Sequence, residues 1–245
     1  MEIASIHQPP YLSWFGLLDK IIKSDIFIIM DDVQFNRRAF QHRTLYSNPS
    51  GKPSYLTLSV DAKNHQLDNL LINEVKVNNI EIIKKHYEII LNRYGKFKSF
   101  QKYKEEVEYI FNQKYTHLLE INLKILNFML KVFSINTQII YASEFNTQLI
   151  KSDRILDLVK ASGCTTYLSG VGAKNYMNEE DFKNNNIQLN YQDFYHIQFD
   201  QKTKKDFQDG CFALELPFIH EDYMEQLYTH YENINQLNQL KSIKF

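Results

Sequence analysis

The stretch from Glu2 to Met30 constrains the fold more than any other. Glu2 to Ile6 is short, apolar and β-prone, and Asp25-Ile26-Phe27-Ile28-Ile29-Met30 is a nearly continuous apolar run, the pattern of a strand buried on both faces. Between them Ser13 is placed to cap a helix from about Trp14 to Lys23, with Leu17, Leu18, Ile21 and Ile22 at helical spacing. A crossover of this length makes the two strands parallel. His7 then follows the first strand, and Asp31 and Asp32 follow the second. Both lie at the carboxyl edge, where open α/β sheets bind their ligands.

Each of these residues has a plainer explanation. A lone histidine after a strand is more often structural than chemical, and paired aspartates often only cap a loop. Convergence favours function: His7, Gln8, Asp31, Asp32, Gln34, Arg37, Arg38, Gln41, His42 and Arg43 are too polar for a core and fall on two loops expected at one edge.

The chain has 245 residues, enough to bury a full core. Its 28 Lys plus Arg against 29 Asp plus Glu give no electrostatic case for nucleic acid or an anionic membrane, so an anion must be met by a local cluster. Cys164 and Cys211 stand alone, without zinc or disulfide spacing, and read as buried thiols. The first residues enter a strand directly, and no stretch approaches the roughly 18 apolar residues of a membrane span, so a cytoplasmic protein is expected.

After Arg43 a dense turn signal over Ser47 to Pro53 leads to a strand-like run, Tyr55 to Val60. Leu71 to Val77 alternates as a half-solvated strand would, and the two are expected to form an edge hairpin. From Ile80 to about Phe133 the pattern is helical in three segments, with Asn79 and Ser99 as N-caps and Gly95 as a stop. The third segment is apolar on nearly every face and belongs at the centre of a bundle. His86 and His117 have no ligand-spaced partners there, so no chemistry is assigned to them.

Thr137 to Ala142 returns to strand, Ser152 is placed to cap a helix over Asp153 to Ala161, and Gly163 stops it. Thr165 to Leu168 is a further strand, followed by the turn Ser169-Gly170-Val171-Gly172 with Lys174 beside it. Such a turn exposes backbone N–H groups to an anion, although it lacks the Walker spacing. A strand at Ile187 to Tyr191, an extended piece at Tyr195 to Phe199, a final helix from near Glu221 to about Asn233 and a fraying polar tail complete the reading. The fold class expected is α/β: a mostly parallel sheet with flanking helices, Rossmann-like or HUP-like in three layers. Residues 1–245 read as a single domain with a helical insertion or subdomain near residues 79–134.

The run His7-Gln8-Pro9-Pro10-Tyr11-Leu12-Ser13-Trp14-Phe15-Gly16, with Asp19-Lys20-Ile21, Asp31-Asp32-Val33-Gln34-Phe35, Arg37-Arg38 and Gln41-His42-Arg43, resembles the WbqC-like family. Tyr167-Leu168-Ser169-Gly170, Ala173-Lys174 and Tyr176 resemble its second block. Ser13 stands where the family usually has proline, Ala39-Phe40 replaces a usual Ser-Trp, and the region 194–216 fits poorly. The resemblance implies a bacterial protein of surface-polysaccharide gene clusters, such as those for O-antigen, in which amino sugars carry acyl or aminoacyl groups.

Family context and residues together lead to one expected chemistry: acyl or aminoacyl transfer to the amine of a nucleotide-linked amino sugar. The donor is free or held on a carrier protein, and no cofactor or bound metal is required. His7 is the expected base, oriented by Asp31 or Asp32. The Ser169-Gly170 turn or the Gln8 amide would hold the oxyanion, and Arg37, Arg38 and Arg43 the phosphates. Gln8, Tyr11, Trp14, Gln34, Gln41, Lys174 and Tyr176 complete the substrate contacts. Two alternatives stay open. One is an ATP-using nucleotidylyl- or adenylate-forming enzyme of the HIGH type, with magnesium on Asp31 and Asp32; the motif's second histidine is missing. The other is a non-catalytic module that binds a nucleotide sugar or a carrier protein.

Overall fold

The computed structural model describes residues 2–145, 147–243 and 245. A five-stranded sheet, parallel at every pairing, is built from β1 (Ile3–His7), β2 (Ile26–Ile29), β7 (Gln138–Tyr141), β8 (Thr166–Ser169) and β9 (Gln188–Tyr191), in the order β7-β2-β1-β8-β9. The chain steps outward from β1 to β2 to β7, then returns to the other side of β1 for β8 and β9. The gap between β1 and β8 is therefore the topological switch point of a doubly wound sheet.

Side-chain alternation divides the core. Phe27 and Ile29 of β2 belong to the larger apolar cluster, with Leu17, Leu18, Ile21 and Ile22 of α1 (Phe15–Ile22); Ile26 and Ile28 belong to the smaller one, with Ala4 and Ile6. On that second face lie α6 (Lys151–Ala161), through Ile155, Leu158 and Val159, and α7 (Glu179–Asn184), through Phe182. Helices thus cover both faces, making a three-layer α/β fold. This accounts for the unbroken apolar run of β2, since each wholly buried Leu, Ile or Phe contributes about 1.5–3 kcal/mol.

Between β2 and β7 the chain forms β3 (Arg43–Ser47), β4 (Pro53–Thr57), the short pair β5 (Val60–Asp61) and β6 (Lys76–Val77), and then α2 (Ile80–Tyr94), α3 (Lys98–Gln101), α4 (Lys104–Asn112) and α5 (Leu118–Val132). All four helices join the larger core, which also takes α8 (Glu215–Ile219) and α9 (Tyr223–Asn233). Among the described residues no helix is long and apolar enough to cross a membrane. Both cysteines are free and buried.

Several local expectations are corrected. Of the expected hairpin only the antiparallel pairs Val60 with Val77 and Asp61 with Lys76 form; the longer hairpin joins β3 to β4 around the Ser47–Pro53 turn, and Ile72–Glu74 is a 3-10 turn. Trp14, not Ser13, occupies the N-cap of α1; the Ser13 carbonyl accepts from the Ala213 amide at 2.8 Å. Asn79 does cap α2 through Glu81 N, but Ser99 lies inside α3 and donates to the Phe218 carbonyl. Ser152 lies within α6 and accepts from Asn178 N. The tail is pinned as well: Lys241 N donates to the Ile22 carbonyl and Thr137 Oγ1 to Ser242 Oγ.

Candidate functional site

His7 ends β1, paired with Ile29 of β2, and the chain then leaves the sheet through Gln8-Pro9-Pro10. Its Nδ1 lies 2.7 Å from the Gln8 carbonyl oxygen. A carbonyl can only accept, so Nδ1 carries the proton and Nε2 keeps its lone pair in the neutral ring. Burial, together with the Lys20 ammonium nearby, holds the imidazole down at about 4, against an opposing push from the Gln8 bond. The ring is therefore neutral throughout the physiological range.

Two cavities meet at His7 and Trp14, which line both. The first, of about 450 Å³, is bounded by Pro10, Tyr11, Leu12, Phe40 and Gln41. It forms because the chain turns sharply at Leu12, which takes the left-handed φ of 47° and whose carbonyl accepts from Thr44 Oγ1 at 2.9 Å. Behind it Tyr11 Oη is hydrogen-bonded to His86 Nδ1 at 2.7 Å. Asn122 Nδ2 of α5 donates to the carbonyls of Pro9 and Gln41, at 2.9 and 2.8 Å. The helical segment thus supports the first loop from beneath.

The second cavity, of about 490 Å³, opens at the switch point and is lined by Lys20, Tyr167, Gly170, Gly172, Tyr176 and Gln192. Lys20 is buried and donates from Nζ to the Ile6 carbonyl at 2.9 Å, and burial lowers its pKa to about 8. Gln192 Nε2 donates to the Gly16 carbonyl and to Asp19 Oδ2. Val171–Ala173 makes one 3-10 turn, whose leading N–H groups have no partner inside the turn. A β-carbon on Gly170 or Gly172 would meet nothing within 4 Å, so these glycines leave room rather than relieve crowding.

The other sequence-derived candidates distribute unevenly. Gln8, Tyr11, Trp14 and Gln41 reach the first cavity, and Gly170 and Tyr176 the second. Asp31 and Asp32 line neither, and neither orients His7. Asp31 accepts from Ser143 N and Oγ, while Asp32 pairs with Arg154 through Oδ2. A magnesium ion needs oxygen ligands at the cleft, and these two carboxylates do not fit that role. Among the described residues no group of three or more His, Cys, Asp or Glu side chains is arranged to hold a metal. Arg43 is a loop clamp, its guanidinium between the rings of Phe40 and Tyr55 at 5.6 and 5.4 Å and donating to the Arg38 carbonyl. Arg37 and Arg38 are exposed on the loop whose next residues wall the first cavity. Gln34 is exposed beside Asn69. Ser169 is fully buried and holds Gln192 N through its carbonyl, and Lys174 lies exposed, 5.5 Å from the Tyr191 ring centroid.

Sequence reasoning passed over Lys20, Gln192 and Asn122 as site residues. Lys20 carried a signal: it falls three residues after Leu17 and directly before Ile21, a charge inside the apolar stripe of α1. Gln192 and Asn122 carried none, since their partners lie far along the chain.

The arrangement places two cavities against the Trp14 ring and an unprotonated imidazole nitrogen where both are lined by His7. Comparison with known proteins adds kinship. The chain is 25% identical over 197 residues to a protein of Mycobacterium tuberculosis described as "Uncharacterized protein Rv1507c", covering 79% of this chain and 83% of that one. No solved structure matches. Residues 8–222 match the profile of the WbqC-like protein family, and the chain belongs to that family.

Proposed function

We propose that the protein transfers an acyl or aminoacyl group from an activated donor to the amine of a nucleotide-linked amino sugar, in the cytoplasmic assembly of a bacterial surface polysaccharide such as O-antigen. The observation that carries this reading is the position of His7, a neutral imidazole shared by two cavities at the carboxyl edge of the sheet. The switch-point cavity suits the nucleotide-linked sugar: Lys20 offers a cation for phosphate, the Val171–Ala173 turn offers N–H donors, and Tyr176 offers a ring at the rim. Arg37 and Arg38, exposed beside the first cavity, suit a carrier protein's acidic surface.

In the reaction the sugar amine attacks the donor carbonyl carbon and a C–N bond forms. His7 Nε2 takes the proton that the amine must lose. The C–S bond of a thioester donor breaks, and His7 returns that proton to the departing thiolate. No electrons are exchanged with an outside reagent. The Gln8 amide stands closest along the chain to hold the carbonyl oxygen.

The test is thiol release from acyl thioesters on addition of nucleotide-linked amino sugars, with His7→Ala and His7→Gln alongside. Loss of the base lowers kcat on the order of a hundredfold or more. Turnover at the wild-type rate in both variants overturns the reading. Binding of the nucleotide sugar by wild type and by His7→Gln alike, with no turnover of any donor, identifies a binding module instead.

A further inference from the structure

The first cavity has almost no hydrogen-bonding side chain to spare. Tyr11 Oη is committed to His86, Thr44 Oγ1 to the Leu12 carbonyl, and Gln41 accepts from Asn36 N while donating to Gln8 Oε1. No Asp, Glu, Lys or Arg lines it. The remaining wall is Pro10, Leu12, Ala39, Phe40, Gly210 and the Trp14 ring. Three polar groups are exceptions: His7 Nε2, Gln8 Nε2 and the Trp14 indole Nε1, none of which has a hydrogen-bond partner among the described residues, and the first two sit on adjacent residues.

A sugar, a nucleobase or an aminoacyl ammonium placed here would give up its water and find no partner for most of its polar groups. An apolar chain loses nothing of the kind, and its single carbonyl would lie at the end where His7 and Gln8 are free. Pockets of this size with convergent polar groups at one point hold small, largely apolar ligands.

We propose that this cavity is an acyl chamber, which receives the apolar acyl group of a thioester donor with its carbonyl at the His7–Gln8 end. The assignment rests on the acyl-transfer reading and narrows it: the transferred group is an apolar acyl rather than an aminoacyl one, and it enters on the opposite side of Trp14 from the nucleotide. The bonds made and broken are those given above.

Trp14 is the chain's only tryptophan and borders the chamber, so its emission reports occupancy. The wild-type protein is titrated with acetyl, butyryl, hexanoyl and glycyl thioesters of N-acetylcysteamine, which carry no nucleotide, and separately with uridine diphosphate. Affinity rises with chain length, by up to about fourfold per methylene buried. Glycyl thioester binds no better than acetyl, and uridine diphosphate does not compete. Ala39→Phe, which fills the chamber from its loop, weakens hexanoyl binding tenfold or more and leaves uridine diphosphate binding unchanged. Flat chain-length dependence, preferential glycyl binding, competition with the nucleotide, an indifferent Ala39→Phe variant or an unperturbed Trp14 each overturn the chamber. Those results leave acyl transfer itself standing. Chain-length-dependent binding without consumption of any amine overturns the transfer reading and leaves the chamber.

Discussion

The Trp14 indole lies directly over Gly16: a β-carbon built at residue 16 would come within 2.3 Å of ring atom Cη2. Gly16 is the second residue of α1; glycine inside a helix costs at most about 1 kcal/mol relative to alanine. Its presence lets the helix start beneath the ring that lines both cavities. Gly16→Ala therefore acts in opposite directions on stability and function. The helix gains propensity, while the ring must swing away from the wall it makes with Phe194, 5.3 Å from it in an edge contact. The expected outcome is a melting temperature within a few degrees of wild type, a shifted Trp14 emission and turnover reduced on the order of tenfold to a hundredfold. Unchanged emission would show that the ring does not occupy this position.

Asn122 is the bundle's grip on the site. Its Nδ2 donates to both Pro9 O and Gln41 O, joining the loop after β1 to the loop before β3. Its own Oδ1 is buried without a partner among the described residues, so the side chain is retained for its donors alone. Asn122→Ala leaves two buried carbonyls unpaired and costs on the order of 2–4 kcal/mol, read as a lower denaturant midpoint. The Tyr11–His86 contact should loosen with it, visible as raised amide exchange around residues 9–12.

Much of this arrangement was legible in advance. Ile26-Phe27-Ile28-Ile29 had to be buried on both faces, and its partner in the same crossover had to be parallel, which placed His7 at the binding edge. What could not be read was strand order. The strand-end rule applied equally to Asp31 and to Ser169, but only β8 adjoins β1 across the switch point; β2 lies on the other side, where Asp31 and Asp32 meet Ser143 and Arg154. That choice is made by pairings such as Ser5 with Leu168, between segments too distant for any local pattern to reveal. Arg43–Ser47 was missed as a strand because its alternation is broken by polar side chains that serve the loop and the buried Arg93 network instead.

His86 and His42 predict acid lability. Burial lowers both to about 4, from an ordinary 6.5 that the unfolded chain retains. Between these values the unfolded state binds more protons, so stability is fully present above pH 6.5 and is lost as the pH falls toward 4. Each buried ring contributes at most about 3 kcal/mol to that loss. His86→Gln keeps a polar group near Tyr11 but cannot titrate there. The difference in unfolding free energy between pH 7 and pH 5 should be smaller in the variant; an identical drop in both proteins would refute the assignment.

Lys20 predicts the opposite limb. Its pKa is about 8 in the folded chain against 10.5 unfolded, because the ammonium is buried between α1 and β1 with the Ile6 carbonyl as its partner. Below pH 8 both states hold the proton and the fold bears the cost of burying it. Between pH 8 and 10.5 the unfolded state binds more protons, so wild-type stability rises with pH across that window relative to a variant without the group. Lys20→Met should therefore be more stable than wild type at pH 7, by on the order of 2 kcal/mol after the unpaired carbonyl is counted, with the difference shrinking above pH 8. Function should move the other way. Removing the ammonium takes a cation from the switch-point cavity, weakening nucleotide-sugar binding on the order of tenfold. Burial still holds His7 down, but the part of the depression due to the Lys20 ammonium is relieved, moving the acid limb of the pH–rate profile upward. A variant that gains stability while keeping nucleotide affinity and an unmoved acid limb would show that Lys20 serves the fold alone.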